Sequence, residues 1–300
     1  MPRQYQIISD SSCDLPQELT RKHDIKVVPF YVSFDQENYY KEIVEMPVRK
    51  FYEDMVAKPG VFPKSSLPSI EDYIEAFTPF VKEQMPIICI CITTKFSGSY
   101  NSATNARDIL LEDYPDAKIT VIDAQINTVL QGIYVLEAVR MRDAGLSYEE
   151  TIETLERLKV TGRIIFTTAD ISYLKSGGRL GKLVSIANNA LKIKPLIILK
   201  EGEIFPFGIA RSRQKSLDKV IAQAKKYFSE IGESPDDYQI VVGFGYDYDE
   251  AVSFRDKLLE SMQTYSNLET IDIFQIGATI GVHTGPHPLG LGLIKKYDCL

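Results

Sequence analysis

The sequence predicts an α/β protein: an N-terminal parallel-sheet α/β sandwich domain followed by a C-terminal α+β domain. Three observations carry this. The first half alternates short strand-like runs with helical stretches, the order that builds a parallel sheet covered on both faces. PIICICITT (86–94) is apolar without alternation, as a strand buried on both sides must be. From about residue 163 the texture changes to strand-like runs separated by turn-like KEGE and FPFG, with two long helices between them. The expected division is residues 1–162 and 163–300, and 300 residues suit two domains.

In chain order, QYQIIS is a short strand ending in DSSCD. LPQELTRKHD is helical, with Pro16 in the first turn and Asp14 as its expected cap. Residues 25–40 read as a strand and hairpin, and Pro29 marks a sheet edge. PVRKFYEDMVA and SIEDYIEAFTPFVKEQ are helices, the second opened by Ser69 with Asp72 in a capping-box spacing. After the PIICICITT strand come a helix (SYNSATNARDILLEDY), a strand (KITVID), a helix closed by Gly145, and another over LSYEETIETLERLKVTG. In the second half RIIFTTA, PLIILKEGEIFPFG and YQIVVGFGY are strand-like. SLDKVIAQAKKYFSEIG and YDEAVSFRDKLLESMQTY are the helices.

Composition excludes several classes of function. A net charge of −7 argues against a nucleic-acid partner. No apolar run approaches the roughly 18–20 residues that span a bilayer, and MPRQYQIISDSS lacks the apolar core of a secretory signal. Four cysteines without a C-x-x-C pair, and only three histidines, predict no metal site and a reducing, cytoplasmic setting. Cys89 and Cys91 read as small core residues on one strand face.

Chemistry concentrates in a few loops. TTKFSGSYNSA (93–103) puts six hydroxyls in eleven residues directly after the buried strand. Ligands bind beyond the carboxyl ends of parallel strands, and a helix start there offers free N–H groups to an anion. Ser97, Gly98 and Ser99 occupy that turn. Three readings compete: an anion cradle, an ordinary helix cap and a serine nucleophile. The nucleophile elbow G-x-S-x-G is not met, since Ser97 stands where Ser99 needs its first glycine and Lys95 where Ser97 does. PKSSLPS (63–69) reads as a hydroxyl-rich loop in which Ser69 caps the next helix and Ser65 and Ser66 have no capping task. DSSCDLP (10–16) reads as a structural turn and cap, because a phosphatase-like cysteine needs an arginine at position 19, which is Leu19. GFGYDYDE (243–250) fails as a dinucleotide fingerprint at Tyr248. ISYLKSGGRLGK and ARSRQKSLDK carry Arg179, Arg211 and Arg213, whose planar guanidinium groups suit phosphate or carboxylate, with solvated surface charge as the alternative. GVHTGPHPLGLG holds His283 in a glycine-rich path.

Taken together, DSSCDLP, PKSSLPS, TTKFSGSYNSA, VIDAQ, LKSGGRLGK, ARSRQKSL and GVHTGPHPLG, in that order, resemble the DegV family of bacterial fatty-acid-binding proteins over essentially the whole chain. The resemblance implies one long-chain fatty acid bound between the two domains, with no other cofactor and no metal. It implies that Ser65 and Ser97 hold the carboxylate through their hydroxyls, with Gly98 and Ser99 in the same turn and His283 close by. It further implies a role as the acyl-carrying subunit of fatty acid kinase, inert by itself. A separate ATP-binding subunit, docking near Arg179 and one of Arg211 and Arg213, would phosphorylate the carboxylate for phospholipid synthesis. Membrane-derived lipid would be the source, through transient membrane contact. The chain departs from the family at Ser65 (usually Thr), Leu67 (Gln), Phe96 (Leu), GPHPLG (GPGALG) and KEIVEM, where a D-G-x-D stretch is usual. Two rivals remain: a stand-alone hydrolase using Ser97 or Ser99 with His283, and a binder of another small anion.

Overall fold

The computed structural model describes residues 4–169, 171–184 and 193–300. The first sheet has strand order β2-β1-β6-β7, from β1 (Gln6–Asp10), β2 (Lys26–Val28), β6 (Ile87–Cys91) and β7 (Ile119–Asp123), all parallel. β1 and β6 are buried at every position, as the unbroken apolar run required. Strand alternation sorts β6 between two layers. Cys89 and Cys91 pack with Ile87 toward helices α3 (Ile70–Lys82) and α4 (Ser99–Asp113). Ile88, Ile90 and Ile92 pack toward α5 (Thr128–Asp143) and α6 (Tyr148–Leu158). β2 is an edge strand, which Pro29 had signalled. Ser69 closes the expected capping box with Asp72, and Ser147 closes a second with Glu150 at α6. Asp14 does not cap α1 (Gln17–Lys22), whose N-cap is Pro16; its carboxylate instead accepts from the Thr128 hydroxyl at 2.5 Å.

A small antiparallel sheet, β4-β3-β5, joins β3 (Tyr31–Ser33), β4 (Tyr40–Lys41) and β5 (Lys64–Ser66). The PKSS stretch is therefore a strand and not a loop: Ser65 pairs with Val32. Nothing local announces this, because the pairing partner lies more than thirty residues upstream. Between β4 and α2 (Val48–Ala57), Ile43 has φ 71°, a left-handed conformation that β-branched residues avoid. It falls in KEIVEM, where the resemblance leads one to expect a glycine. Ile43→Gly is expected to raise the unfolding free energy by about 0.5 kcal/mol. This is about 1–2 kcal/mol of relieved strain less the lost half-buried side chain and the added chain entropy; denaturant unfolding measures it.

The second sheet has order β10-β9-β8-β13-β11-β12, from β8 (Arg163–Thr167), β9 (Lys194–Lys200), β10 (Glu203–Ala210), β11 (Tyr238–Phe244), β12 (Asp272–Gln275) and β13 (Leu289–Lys295). All pairings are antiparallel except β11 with β12. This is the mixed architecture expected of the second half. One face carries α8 (Arg213–Ile231) and α9 (Tyr248–Gln263) around Val220, Phe228, Phe254 and Leu258. The other face packs on α5. Twelve residues of α5 are buried, Gln131 and Glu137 among them, so it reads as a core helix buried nearly all round. A single cluster runs from Tyr5 and Ile7 through Leu130 and Tyr134 to Ile164, Val241 and Ile294, so the two sheets share α5 as a common core. Two glycines permit the close approach. A Cβ at Gly132 would lie 2.5 Å from the Cys13 carbonyl, and one at Gly292 3.1 Å from Leu130 Cβ. The remaining described α-helices are α7 (Ser172–Ser176) and α10 (Ala278–Thr284). α10 packs Ala278 and Val282 against Phe51 and Tyr52 of α2 and Val32 of β3.

Candidate functional site

Strands β1 and β6 are neighbours whose connections leave to opposite sides, which makes the gap beyond their carboxyl ends a topological switch point. A cavity opens there between the two sheets. Its wall is mostly apolar: Ile92, Phe96 and Val129 from the first half, Ile164, Leu199, Ile276, Leu289 and Leu291 from the second. Polar groups gather on a few elements, and Ser65, Ser97, Arg179 and His283 all line it.

β5 presents Ser65, and α10 presents His283, 218 residues away. Ser65 Oγ lies 3.2 Å from His283 Nε2. Burial, helped by the nearby charges of Arg179 and Lys64, lowers the His283 pKa to about 4, so the imidazole is neutral at physiological pH. Among the described residues His283 Nδ1 has no hydrogen-bond partner. It rests against Gly177, where a Cβ would come within 2.1 Å of it. The first glycine of KSGGR thus leaves the space that the imidazole fills. A fully depressed pKa has a consequence for stability. Between about pH 6.5 and 4 the unfolded chain binds a proton at this histidine that the folded chain refuses, so the contribution of His283 to stability falls as pH falls through that window. Relative to a His283→Asn variant, the wild type is expected to lose about 3 kcal/mol from pH 7 to pH 4. Paired denaturant titrations across that range measure it.

Ser97 lies in the turn between β6 and α4 and accepts a hydrogen bond from the Ser99 N–H at 3.2 Å, which leaves its own O–H free to donate into the cavity. Ser99, expected beside it, is placed differently. It is fully buried and its hydroxyl is bonded to Tyr73 Oη at 2.6 Å and Asp10 Oδ2 at 2.7 Å; it does not line the cavity. Gly98 is the N-cap residue of α4 and lines an outer cleft, not the cavity itself. Among the described residues the parts of a serine hydrolase are not assembled. His283 is bonded to Ser65 rather than to Ser97 or Ser99, and no described carboxylate orients its Nδ1. Cys13 is no nucleophile either, since burial pushes its thiol up to about 12.

Arg179 binds the Phe96 carbonyl through Nε (3.1 Å) and Nη2 (3.0 Å) and so ties the KSGGR loop to the Ser97 turn. It borders both the cavity and a shallow outer cleft that also holds Lys95 and Lys182, the latter paired with Glu203 at 3.1 Å. The other two arginines are not brought to the cavity. Arg211 is exposed, and Arg213 forms a bidentate pair with Glu250 through Nε at 2.8 Å and Nη2 at 2.5 Å. The GPHPLG departure is accommodated without strain, because the left-handed position is Gly285 (φ 78°) and neither His287 nor Pro288 takes a positive φ. Sequence reasoning missed Lys64, whose Nζ donates to the Ser176 carbonyl at 3.1 Å beside the histidine. Its signal was present in PKSS, overshadowed by the hydroxyls. It also missed Asn127 and Thr128, cavity-lining residues after VIDAQ; Thr128 has φ 51°, a strained value for a β-branched residue. Among the described residues no group of three His, Cys, Asp or Glu side chains could hold a metal ion, and no helix is long and apolar enough to cross a membrane.

An α/β fold whose two larger sheets meet at an apolar cavity lined also by hydroxyl and imidazole groups defines a ligand-binding protein with its site at a switch point. The chain belongs to the DegV family: the family model described as "Uncharacterised protein, DegV family" matches residues 4–296. A DegV domain-containing protein of Clostridium perfringens is 31% identical over 290 residues, covering 97% of this chain and 98% of the relative. A stearic acid-binding protein of Eubacterium ventriosum has a solved structure with 45% identity and a TM-score of 0.93, covering 99% of this chain and 100% of that one. A DegV family protein of Thermus thermophilus, solved in a study of its fatty acid binding, is 28% identical with a TM-score of 0.85, covering 97% and 99%. The fatty acid kinase B3 protein of Streptococcus pneumoniae, solved with linoleic acid, shares the fold at 24% identity with a TM-score of 0.79, covering 98% and 99%.

Proposed function

We propose that this protein binds a long-chain fatty acid, its carboxylate held by the Ser65 and Ser97 hydroxyls beside neutral His283, and presents that carboxylate to a fatty acid kinase subunit. The carrying observation is that Ser65, bonded to His283, and Ser97 line the same cavity, whose walls are otherwise mainly apolar. Two hydroxyl donors replace part of the water lost by a carboxylate, and Lys64 and Arg179 add a positive field without forming a fixed ion pair there. The acyl chain supplies the affinity at about 0.8 kcal/mol per buried CH₂, less the cost of immobilising it. The 45% identical Eubacterium ventriosum protein, described as binding stearic acid, supports the same ligand class.

Presentation to a kinase rests on the ordered motifs and on a polar cleft that shares Phe96, Ser97 and Arg179 with the cavity, an approach route for a phosphoryl donor. With no histidine bonded to Ser97 or Ser99 among the described residues, the protein is read as inert without that partner, and it acts in the cytoplasm with transient membrane contact to acquire lipid. The test is mass spectrometry of organic extracts from purified protein, followed by calorimetric titration of the delipidated form with stearate and oleate. A stoichiometric long-chain acid and saturable binding are expected. Absence of both in folded protein, or cleavage of a generic ester that Ser97→Ala abolishes, would overturn the reading.

A further inference from the structure

The DSSCD segment lines no part of the cavity, yet it organises the elements that do. Three fully buried carboxylates, Asp10, Asp14 and Glu42, have no lysine or arginine paired with them among the described residues. Asp14 and Glu42 each meet the start of a helix that borders the cavity, and Asp10 meets the start of α4, directly after the Ser97 turn. Asp14 accepts from Thr128 at the start of α5. Glu42 accepts from the Thr279 N–H at 2.8 Å, near the start of the helix that carries His283, and from the Ser11 hydroxyl. Asp10 is the most connected. Its Oδ2 accepts from the Ile92 N–H at 2.9 Å and the Ser99 hydroxyl at 2.7 Å. Its Oδ1 accepts from the Ser12 hydroxyl at 2.6 Å and Gln131 Nε2 at 2.9 Å.

The two partners of Oδ2 bracket the 93–98 turn. Ile92 is the last apolar residue before it, and Ser99 opens the helix after it. The Ser99 backbone N–H is the donor to Ser97 Oγ, so the same residue is gripped by Asp10 and grips Ser97. Only a group accepting on both oxygens satisfies four donors at once. Burial raises the Asp10 pKa, and bonds from Ser12, Ile92, Ser99 and Gln131 oppose that rise.

We infer that Asp10 is a positioning residue of the fatty-acid carboxylate site: acting through Ser99, it holds the turn that aims the Ser97 hydroxyl at the ligand. The inference rests on the fatty-acid reading above, and the experiment separates the two. Delipidated wild type, Ser99→Ala, Ser99→Thr, Asp10→Asn, the Asp10→Asn/Ser99→Ala double variant and Glu137→Gln are titrated with [1-¹³C]oleate. Affinity and the carboxyl ¹³C resonance of the bound acid are read together. Glu137 is the control, a fully buried carboxylate bonded to Arg140 and the Tyr297 N–H and absent from the cavity wall.

Ser99→Ala and Asp10→Asn are each expected to weaken oleate about tenfold and to shift the bound carboxyl resonance. The double variant should be no weaker than the worse single one, since both cut the same link. Ser99→Thr, which keeps the hydroxyl, should return the resonance toward wild type, and Glu137→Gln should leave it in place whatever its effect on melting temperature. If Asp10→Asn does not fold, the Ser99→Ala and Ser99→Thr pair decides the matter. Wild type that binds oleate, with folded Ser99→Ala unchanged in affinity and resonance, would overturn the positioning role. Wild type with no bound oleate resonance would instead sink the fatty-acid reading itself.

Discussion

Replacing Ser65 and Ser97 together by alanine is expected to weaken binding of a long-chain fatty acid by about 10²–10⁴-fold, with the fold retained. A hydrogen bond to a charged group is worth about 1.5–3 kcal/mol, two are removed, and each 1.4 kcal/mol is a factor of ten. Both hydroxyls line the cavity, so neither removal opens a void in the packed core. The loss should fall on acids and spare neutral ligands. A fatty alcohol of the same length should bind the double variant within a few-fold of wild type, because the acyl wall of Ile92, Leu199 and Leu291 is untouched. Calorimetric titration with oleate and with oleyl alcohol measures the difference. Equal affinity of wild type and double variant for oleate would place the carboxylate elsewhere.

Gly177→Ala is expected to act almost as strongly although it touches neither serine. The backbone at Gly177 is ordinary (φ −81°), so alanine adds no conformational strain there. What it adds is a methyl group 2.1 Å from His283 Nδ1, closer than any real contact. The imidazole must leave its position and with it the Ser65 hydroxyl, 3.2 Å from Nε2. About 1–3 kcal/mol of unfolding free energy is expected to be lost through overpacking, together with a tenfold or greater fall in oleate affinity. The neighbouring Gly178 is the comparison: it has φ 70° and nothing within 4 Å of an added Cβ, so Gly178→Ala carries backbone strain alone, about 1 kcal/mol. A titration showing the two alanine variants alike in affinity would refute the packing argument.

Much of the fold was legible because it follows from local chemistry. An apolar run without alternation became a strand buried on both faces, and Ser69 with Asp72 closed the capping box their spacing announced. Pro29 marked an edge strand. The site was legible only in part. Ser65, Ser97 and His283 belong to recognisable motifs and do line one cavity. Ser97 and Ser99, by contrast, are equivalent in composition and spacing, yet one borders the cavity while the other is enclosed by Tyr73 and Asp10. A hydroxyl carries no mark of which side of a helix start it will occupy.

What the sequence determined by itself was therefore most of the longer helices and the buried strands, the Ser69 capping box, and the order of motifs that places the chain in its family. These depend on neighbours within a few residues, where spacing and side-chain type are sufficient. Tertiary structure alone decided that PKSS is a strand paired with Val32, that α5 serves both sheets, and that Asp10 gathers three donors from distant segments besides the nearby Ser12. It also decided that Ser65 meets His283 across 218 residues. Such contacts are set by which surfaces must be buried together, and no local period in the chain records that choice.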